Sequence, residues 1–259
     1  MMRRTLLTIL SLVLLGTGCF RTLNPRDFST STDLFEAGKK EYDRGKWNNA
    51  IAAFERLTFD LPTRDSLLPL AHWYLGKARL RKDERLLAAQ NFIRLAEAFP
   101  EDTLADDALL QSGDSYLGLW RGPALDPQYG LLAQTQFRLL QAAHPASPLA
   151  DTATKRLAAL DERFASKDYE TAMHYIRRRA YDSAILYLRE VVQTWPNTDK
   201  ARQAMLRLVE VYRLPSMRYT EDALEVCGAL RAGFPTDKEV RSRCKAPPAP
   251  APVVPDTSR

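Results

Sequence analysis

Apolar residues recur every three or four positions from Asp33 to Lys245, in stretches rich in alanine, leucine, arginine, glutamate and glutamine. This spacing places the apolar side chains on one face of an α-helix, and these residue types favour helix. A proline follows each of five such stretches: Pro62, Pro100, Pro145, Pro196 and Pro235. The pattern therefore predicts an all-α chain of about ten or eleven helices.

A fixed register precedes each of these prolines. An alanine lies twelve residues before it, an apolar and mostly aromatic residue eight before it, and a leucine or valine five before it. In that order the positions are Ala50, Ala88, Ala133, Ala184 and Ala223; Phe54, Phe92, Phe137, Leu188 and Cys227; and Leu57, Leu95, Leu140, Val191 and Leu230. Because one register holds in all five stretches, we expect five copies of one structural unit.

This register resembles the second helix of the tetratricopeptide repeat, in which the alanine lets two helices approach and the aromatic residue fills the gap between repeats. The small position of the first helix is occupied by Gly38, Gly76 and Gly113, and a turn is predicted at Gly45-Lys46-Trp47. The resemblance implies a superhelical array of five helix pairs over residues 33–245, in which stacked pairs share a continuous core. We expect the largest insertion, Arg121 to Gly130, to be a loop.

The N-terminal residues predict export and attachment to lipid. Arg3 and Arg4 precede an apolar segment over residues 6–15, which is too short to span a bilayer. Residues 14–19 resemble the lipobox of bacterial lipoproteins, whose cysteine is acylated and becomes the mature N-terminus, although Gly16 stands where leucine, valine or isoleucine is usual. We expect a signal peptide over residues 1–18, acylation of Cys19 and a flexible tether over residues 19–32. The alternative is ordinary cleavage that leaves Cys19 as a free thiol.

An inner-membrane retention signal typically has aspartate directly after the acylated cysteine, whereas this chain has Phe20. The resemblance to lipoproteins therefore points to the outer membrane, with the protein facing the periplasm.

The formal charge of +5 falls to about +3 once Arg3 and Arg4 are removed, so nucleic acid is not an expected partner. Five prolines among residues 246–259 predict a disordered tail.

The sequence offers no convincing reaction centre. His72, His144 and His174 lie in different repeats, without cysteines or carboxylates at the spacing of a metal site. No phosphate-binding loop or nucleophile motif is present, so we expect no enzyme activity, metal or cofactor. Cys227 and Cys244 either form a disulfide or serve as a small core residue and a tail thiol, and both alternatives stay open.

Four strings along the array resemble the BamD family, the lipoproteins of the outer-membrane β-barrel assembly machinery. They are Asp126-Pro127-Gln128, Ala153 to Leu157, Tyr169 to Tyr181, and Trp195 to Tyr212. The resemblance implies a non-enzymatic scaffold that binds unfolded outer membrane proteins and docks the periplasmic domain of a BamA-like barrel insertase. Other accessory lipoproteins are further partners that it allows.

Two residues depart from the family pattern. Arg179 replaces the usual turn glycine, so this turn must either avoid a positive φ or accept a cost. Tyr187 stands where many relatives carry an arginine that contacts the insertase, which puts that ion pair in doubt.

Two sets of binding residues follow from the repeat register and from the family. On the first helices of repeats one and two, the peptide-binding groove candidates are Phe35, Lys39, Tyr42, Trp73, Lys77 and Arg81. Around repeats four and five, the partner-docking candidates are Tyr187, Arg189, Arg207 and Tyr212. The alternative is that Phe35, Trp73 and Tyr212 complete the core and that the lysines are solvated.

A different function class remains open, namely a periplasmic repeat adaptor that coordinates outer-membrane constriction or peptidoglycan synthesis. Constriction adaptors usually carry an N-terminal coiled coil, for which the residues between Cys19 and Asp33 leave no room. Adaptors of the second kind would co-purify with peptidoglycan synthases instead of barrel proteins.

Overall fold

The computed structural model describes residues 22–245, so the predicted signal peptide, the acylation site Cys19 and the tail over residues 246–259 lie outside the described residues. A short 3-10 helix, Pro25–Asp27, comes first. Eleven α-helices follow in the described residues: α1 Ser31–Asp43, α2 Trp47–Asp60, α3 Leu67–Arg81, α4 Arg85–Ala98, α5 Ala105–Leu119, α6 Gln128–Ala143, α7 Ala150–Arg177, α8 Tyr181–Thr194, α9 Asp199–Tyr212, α10 Thr220–Gly233 and α11 Lys238–Arg243. Within residues 22–245 none of them is both long enough and apolar enough to cross a membrane. The all-α prediction is confirmed.

The fifteen residues of the repeated register are all buried, with at most 2% of their surface exposed. Each of α2, α4, α6, α8 and α10 ends two residues before its proline. In all five, the residue between donates its N–H to the carbonyl five positions before the proline, such as that of Leu57 or Leu95. Proline cannot continue this hydrogen-bond ladder, so it ends each helix at the same register position.

The chain divides into two compact units, and the described part of unit 1 is residues 22–119. In unit 1, α1 pairs with α2 and α3 pairs with α4. A Cβ atom on Gly38 would lie 2.9 Å from the Cβ of Ala53, and one on Gly76 would lie 2.7 Å from the ring of Phe92. The predicted close approach of first and second helices at these glycines is therefore confirmed in both pairs.

Unit 1 begins earlier than the sequence predicted. Thr30 caps α1 by accepting a hydrogen bond from the N–H of Asp33 at 3.1 Å, so α1 starts at Ser31. Leu23 and Phe28 pack against the core formed by α1, α2 and α3. The prediction of a flexible tether over residues 19–32 is therefore wrong for residues 23–32, because these two apolar side chains are partly buried against the first repeat.

The described part of unit 2 is residues 120–245, with α6 to α11. The ring of Trp120 stacks on Phe164 at 4.8 Å between centroids. A Cβ atom on Gly130 would lie 2.6 Å from the Trp120 ring, so only glycine allows this packing. Gly130 lies inside α6, and the predicted loop therefore ends at Pro127 instead of Gly130. The 28-residue α7 lengthens the fourth repeat.

Four of the five connections between first and second helices contain one residue in the left-handed region. Its φ is +73° at Gly45, +60° at Asp83, +59° at Arg179 and +54° at Arg218. Arg179 thus accepts the strain that the missing glycine implied, which costs roughly 1–2 kcal/mol for a residue with a Cβ atom.

Candidate functional site

Four of the six predicted groove residues converge in unit 1, on α1 and α3. Trp73, Lys77 and Arg81 follow one another at intervals of four residues, which places them on one face of α3. Tyr42, in the last turn of α1, lies opposite that face. With Trp47 and Tyr74 they form a group that we call the Lys77 cluster: Tyr42, Trp47, Trp73, Tyr74, Lys77 and Arg81.

Three aromatic rings surround the ammonium group of Lys77. Its Nζ lies 5.6 Å from the ring centroid of Tyr42, 5.5 Å from that of Trp73 and 5.6 Å from that of Tyr74. The guanidinium of Arg81 lies 5.8 Å from the ring of Trp47. Cations over aromatic faces are held by the ring quadrupole, so both side chains are oriented without an acidic partner.

Lys77 is half-buried, and in the described part of the chain it has no carboxylate within ion-pair distance. The charge of Lys77 acts on the carboxyl group of Asp107 on α5. Burial and the neighbouring Asp106 raise the pKa of Asp107, and the positive charge of Lys77 opposes that shift. The Lys77 cluster thus offers a cation framed by apolar surface, which suits a carboxylate next to an aromatic side chain.

Phe35 does not belong to this cluster, and its prediction as a groove contact is wrong. Only 5% of its surface is exposed. Its ring packs edge-to-face on Phe54 at 5.7 Å and on Tyr74 at 5.8 Å. It points from α1 toward α2, where apolar area is removed from water, and therefore completes the core.

Lys39 lies one turn before Tyr42 on α1 but contacts none of the cluster's rings among the described residues. It lines a separate shallow depression with Glu36, Lys40 and Asp43. Lys39 is therefore not brought together with the other groove candidates.

Trp47 and Tyr74 are cluster residues that the sequence did not select. The Trp47 ring lies 5.2 Å from that of Tyr42, and the Tyr74 ring lies 5.6 Å from it. The sequence predicts Trp47 only as part of a turn, although an aromatic residue beside a tight turn is a usable signal of a surface contact. Tyr74 sits between the core face and the cluster, which periodicity alone does not resolve.

In unit 2, two of the four predicted docking residues form one hydrogen-bonded group. Arg189 on α8 donates from Nε to the hydroxyl of Tyr212 at 2.8 Å and forms an ion pair with Asp222 at 2.9 Å. Burial raises the pKa of Tyr212, while the Arg189 guanidinium opposes that shift. Tyr212 is only 1% exposed, so its prediction as a surface contact is wrong. It is a core residue that holds Arg189 in place.

Tyr187 and Arg207 lie apart from this group. Tyr187 is half-buried and stacks on Tyr175 with 5.4 Å between ring centroids. Arg207 on α9 pairs with Glu210 at 2.6 Å and lies 3.4 Å from the hydroxyl of Tyr169. Within the described residues no contact joins Arg207 to Tyr187 or to Arg189.

Cys227 and Cys244 are joined by a disulfide in the structure, which is one of the two alternatives that the sequence left open. Both are 1% exposed and pack with Val240 of α11 against α9 and α10. Two arginines, Arg213 and Arg231, donate to backbone carbonyls of residues 243 and 244. The disulfide and these hydrogen bonds hold α11 packed against the last repeat.

The described residues contain no group of three or more histidine, cysteine, aspartate or glutamate side chains that could hold a metal ion. The three histidines lie on α3, just after α6 and on α7. His72 is buried and His174 is exposed.

In comparison with known proteins, residues 28–226 match the model of the YfiO family, which is described as outer membrane lipoprotein. The outer membrane protein assembly factor BamD of Vibrio cholerae serotype O1 is 26% identical over 224 residues, which cover 81% of this chain and 90% of that protein.

Solved structures similar to this chain include two tetratricopeptide-repeat proteins. The P58(IPK) TPR domain matches 83% of this chain at 12% identity with a TM-score of 0.44, and the chain spans about half of that structure, 54%. A thermophilic TPR protein of Thermus thermophilus matches 83% of this chain and 97% of its own length, at 20% identity and a TM-score of 0.35.

Proposed function

Since the chain belongs to the YfiO family of outer membrane lipoproteins, we propose that it is a non-enzymatic scaffold of the β-barrel assembly machinery. It is anchored in the outer membrane through acylated Cys19 and faces the periplasm. The BamD relative, named an outer membrane protein assembly factor, supports this proposal over the adaptor functions that the sequence also allowed.

Unit 1 binds client segments through the Lys77 cluster. The observation that carries this step is the cation of Lys77, which three rings hold and which has no acidic side chain within ion-pair distance among the described residues. Unfolded outer membrane proteins of the kind that the family serves typically end in an aromatic residue with a free carboxylate. The carboxylate would pair with Lys77, and the aromatic side chain would pack on Trp73 and Tyr42.

A peptide-binding measurement tests this step. A fluorescein-labelled decapeptide that ends in Phe is titrated with wild-type protein, Lys77→Gln and the matched control Lys155→Gln, an exposed lysine of α7. We expect Lys77→Gln to weaken binding about tenfold, because a charge-assisted hydrogen bond is lost, and Lys155→Gln to bind like wild type. Amidation of the peptide's C-terminus should weaken wild-type binding to the same degree. Equal affinities for the acid and the amide would contradict the role of Lys77.

Unit 2 docks the barrel insertase through the exposed part of α8. Arg189 is oriented by Tyr212 and keeps 51% of its side chain exposed, so it can reach a partner without leaving its position. Tyr187 on the same helix and Arg207 on α9 are further contacts of this docking step.

A pull-down from detergent-solubilised envelope tests docking with the lipid anchor intact. We expect Arg189→Glu to reduce recovery of the barrel insertase at least fivefold, roughly 1 kcal/mol, and Lys155→Glu to leave it unchanged. Recovery of peptidoglycan synthases without the insertase would support the adaptor function and refute the scaffold.

A further inference from the structure

One end of unit 1 carries the turns between α1 and α2 and between α3 and α4. At this end Thr22 lines a depression of about 370 Å³ together with Gly45, Lys46, Trp47 and Lys82. We call this surface the Trp47 end. Thr22 follows the predicted acylation site, Cys19, by only three residues.

The α1–α2 turn contributes a surplus positive charge to this end. Arg44 and Lys46 share a single acid, Glu41, at 3.4 Å and 3.8 Å. Burial would raise the pKa of Glu41, but the hydrogen bond from Asn49, together with Lys46 and Arg44, outweighs it and the pKa lies below its usual value. Glu41 is therefore ionised at neutral pH and neutralises one of the two cations.

The α3–α4 turn adds a second surplus charge. Arg81 lies over the ring of Trp47 at 5.8 Å and has no acidic partner among the described residues. The other charges of this end occur in opposite-sign neighbours. They are Lys82 with Glu84 at 2.6 Å, Arg85 with Asp83 at 2.7 Å, Asp43 three residues after Lys40 in the last turn of α1, and Asp27 beside Arg26 in the chain. The Trp47 end thus joins an amphipathic indole to about two uncompensated cations.

The length of chain before Thr22 limits how far this surface can lie from a bilayer. Three residues span at most about 11 Å when fully extended. If Cys19 carries acyl chains, Thr22 and the depression that it lines stay close to the polar headgroup layer. Tryptophan is enriched at that depth in membrane proteins, and lysine and arginine are attracted to anionic lipid there.

We propose that the Trp47 end is a docking surface for the phosphate-bearing headgroups of an anionic phospholipid bilayer. It rests on the proposed acylation of Cys19 and acts as a second membrane contact beside the lipid anchor. Such a contact fixes which end of unit 1 faces the bilayer. The opposite turn, between α2 and α3, then lies about 20 Å farther away, because α2 has 14 residues.

Quenching by lipids that carry a headgroup nitroxide tests this surface in the full acylated chain. With Cys19 acylated and Cys227 bonded to Cys244, a cysteine introduced by Asn48→Cys is the one free thiol for a nitrobenzoxadiazole label. The matched label site at the opposite turn is Thr63→Cys. Vesicles contain phosphatidylcholine alone or with 30% phosphatidylglycerol, a composition chosen for about the charge density of an anionic leaflet.

We expect strong quenching at residue 48 in anionic vesicles, weak quenching in phosphatidylcholine, and none at residue 63. Each cation near an anionic surface changes the docked-to-free ratio about fivefold, so Lys46→Gln with Arg81→Gln should lower it about 25-fold. Arg64→Gln, an exposed cation of the opposite turn, should leave quenching unchanged.

Three results would overturn the proposal. Quenching that is equal in both vesicle types, or that survives the double substitution, removes the electrostatic contact. The second result is a response of the label, in the absence of vesicles, to inorganic phosphate at about 10 mM, a concentration that detects weak binding. That response indicates a phosphate site instead of a membrane surface. Protein that floats with vesicles but is not quenched refutes the Trp47 end alone, whereas protein that does not float at all refutes acylation and the surface with it.

Discussion

Replacement of Gly76 by alanine should destabilise unit 1, although alanine is the better helix former. Gly76 lies in the middle of α3, where its missing side chain admits the ring of Phe92 from α4. An added Cβ would lie 2.7 Å from Cε1, 2.8 Å from Cζ and 3.0 Å from Cδ1 of that ring. The ring is fully buried and packs on Trp73 at 5.3 Å, so it has no free space to move into.

Two opposing effects set the magnitude. Overpacking of a filled core costs about 1–3 kcal/mol, because side chains leave their rotamers or the backbone shifts. Alanine returns about 1 kcal/mol through its helix propensity. Three ring atoms would lie within 3.0 Å of the added Cβ, so the upper half of that range, about 2–3 kcal/mol, applies. The net loss in the free energy of unfolding should therefore be roughly 1–2 kcal/mol.

Guanidinium titrations followed by circular dichroism and tryptophan fluorescence measure this loss. The matched control is Gly228→Ala on α10, where an added Cβ meets nothing within 4 Å. That substitution should stabilise the protein by about 0.5–1 kcal/mol, because only helix propensity changes. The same change at two helical glycines thus has opposite expected signs.

A double-mutant cycle with Phe92→Leu separates the clash from other effects. The smaller side chain should relieve the contact, so the double variant should be at least 1 kcal/mol more stable than the sum of the single changes predicts. The reasoning fails if Gly76→Ala is as stable as wild type, or if the two changes are simply additive.

Three further predictions concern buried or strained residues elsewhere. Burial holds the pKa of His72 below its usual value, so the stability that neutral His72 contributes is present above pH 6.5 and is lost as pH falls through the lower folded pKa. His72→Gln should therefore flatten the fall in melting temperature between about pH 7 and 5, and exposed His174→Gln should not; parallel curves would refute this. Replacement of Cys227 and Cys244 by alanine opens a link across a 17-residue separation and should cost unit 2 about 3 kcal/mol in a denaturant titration, so a loss below about 1 kcal/mol would contradict it. Arg179→Gly should raise the free energy of unfolding by about 1 kcal/mol in the same assay, since φ is +59° there, and any loss of stability would show that the arginine makes contacts worth more than the strain.

The predicted tether and the predicted loop show where sequence patterns lose precision. The serine, threonine and asparagine content of residues 19–32 predicts a flexible tether. Leu23 and Phe28 nevertheless pack against the first repeat, because two apolar side chains suffice when a neighbouring core leaves a surface for them. The insertion over Arg121 to Gly130 predicts a loop, yet Gly130 lies inside α6, where its lack of a side chain admits the ring of Trp120.

Membership in the groove depended on contacts between helices. Phe35 and Tyr42 both lie on α1, yet Phe35 is buried against α2 and Tyr42 faces Lys77. Trp47 and Tyr74 joined the cluster from positions that the register did not mark. In unit 2, the phenol of Tyr212 turned out to support Arg189 from within the core.

The sequence by itself determined the helices and their buried faces, because burial in a helix repeats every 3.6 residues and this period is visible in a single sequence. The five prolines and the fifteen residues in register with them confirm this, down to the small positions at Gly38 and Gly76. Only the tertiary structure decided which aromatic and cationic side chains meet, and that Cys227 reaches Cys244. These outcomes depend on the distances and angles between helices, which are set by the packing of the whole unit and leave no periodic signal in the chain.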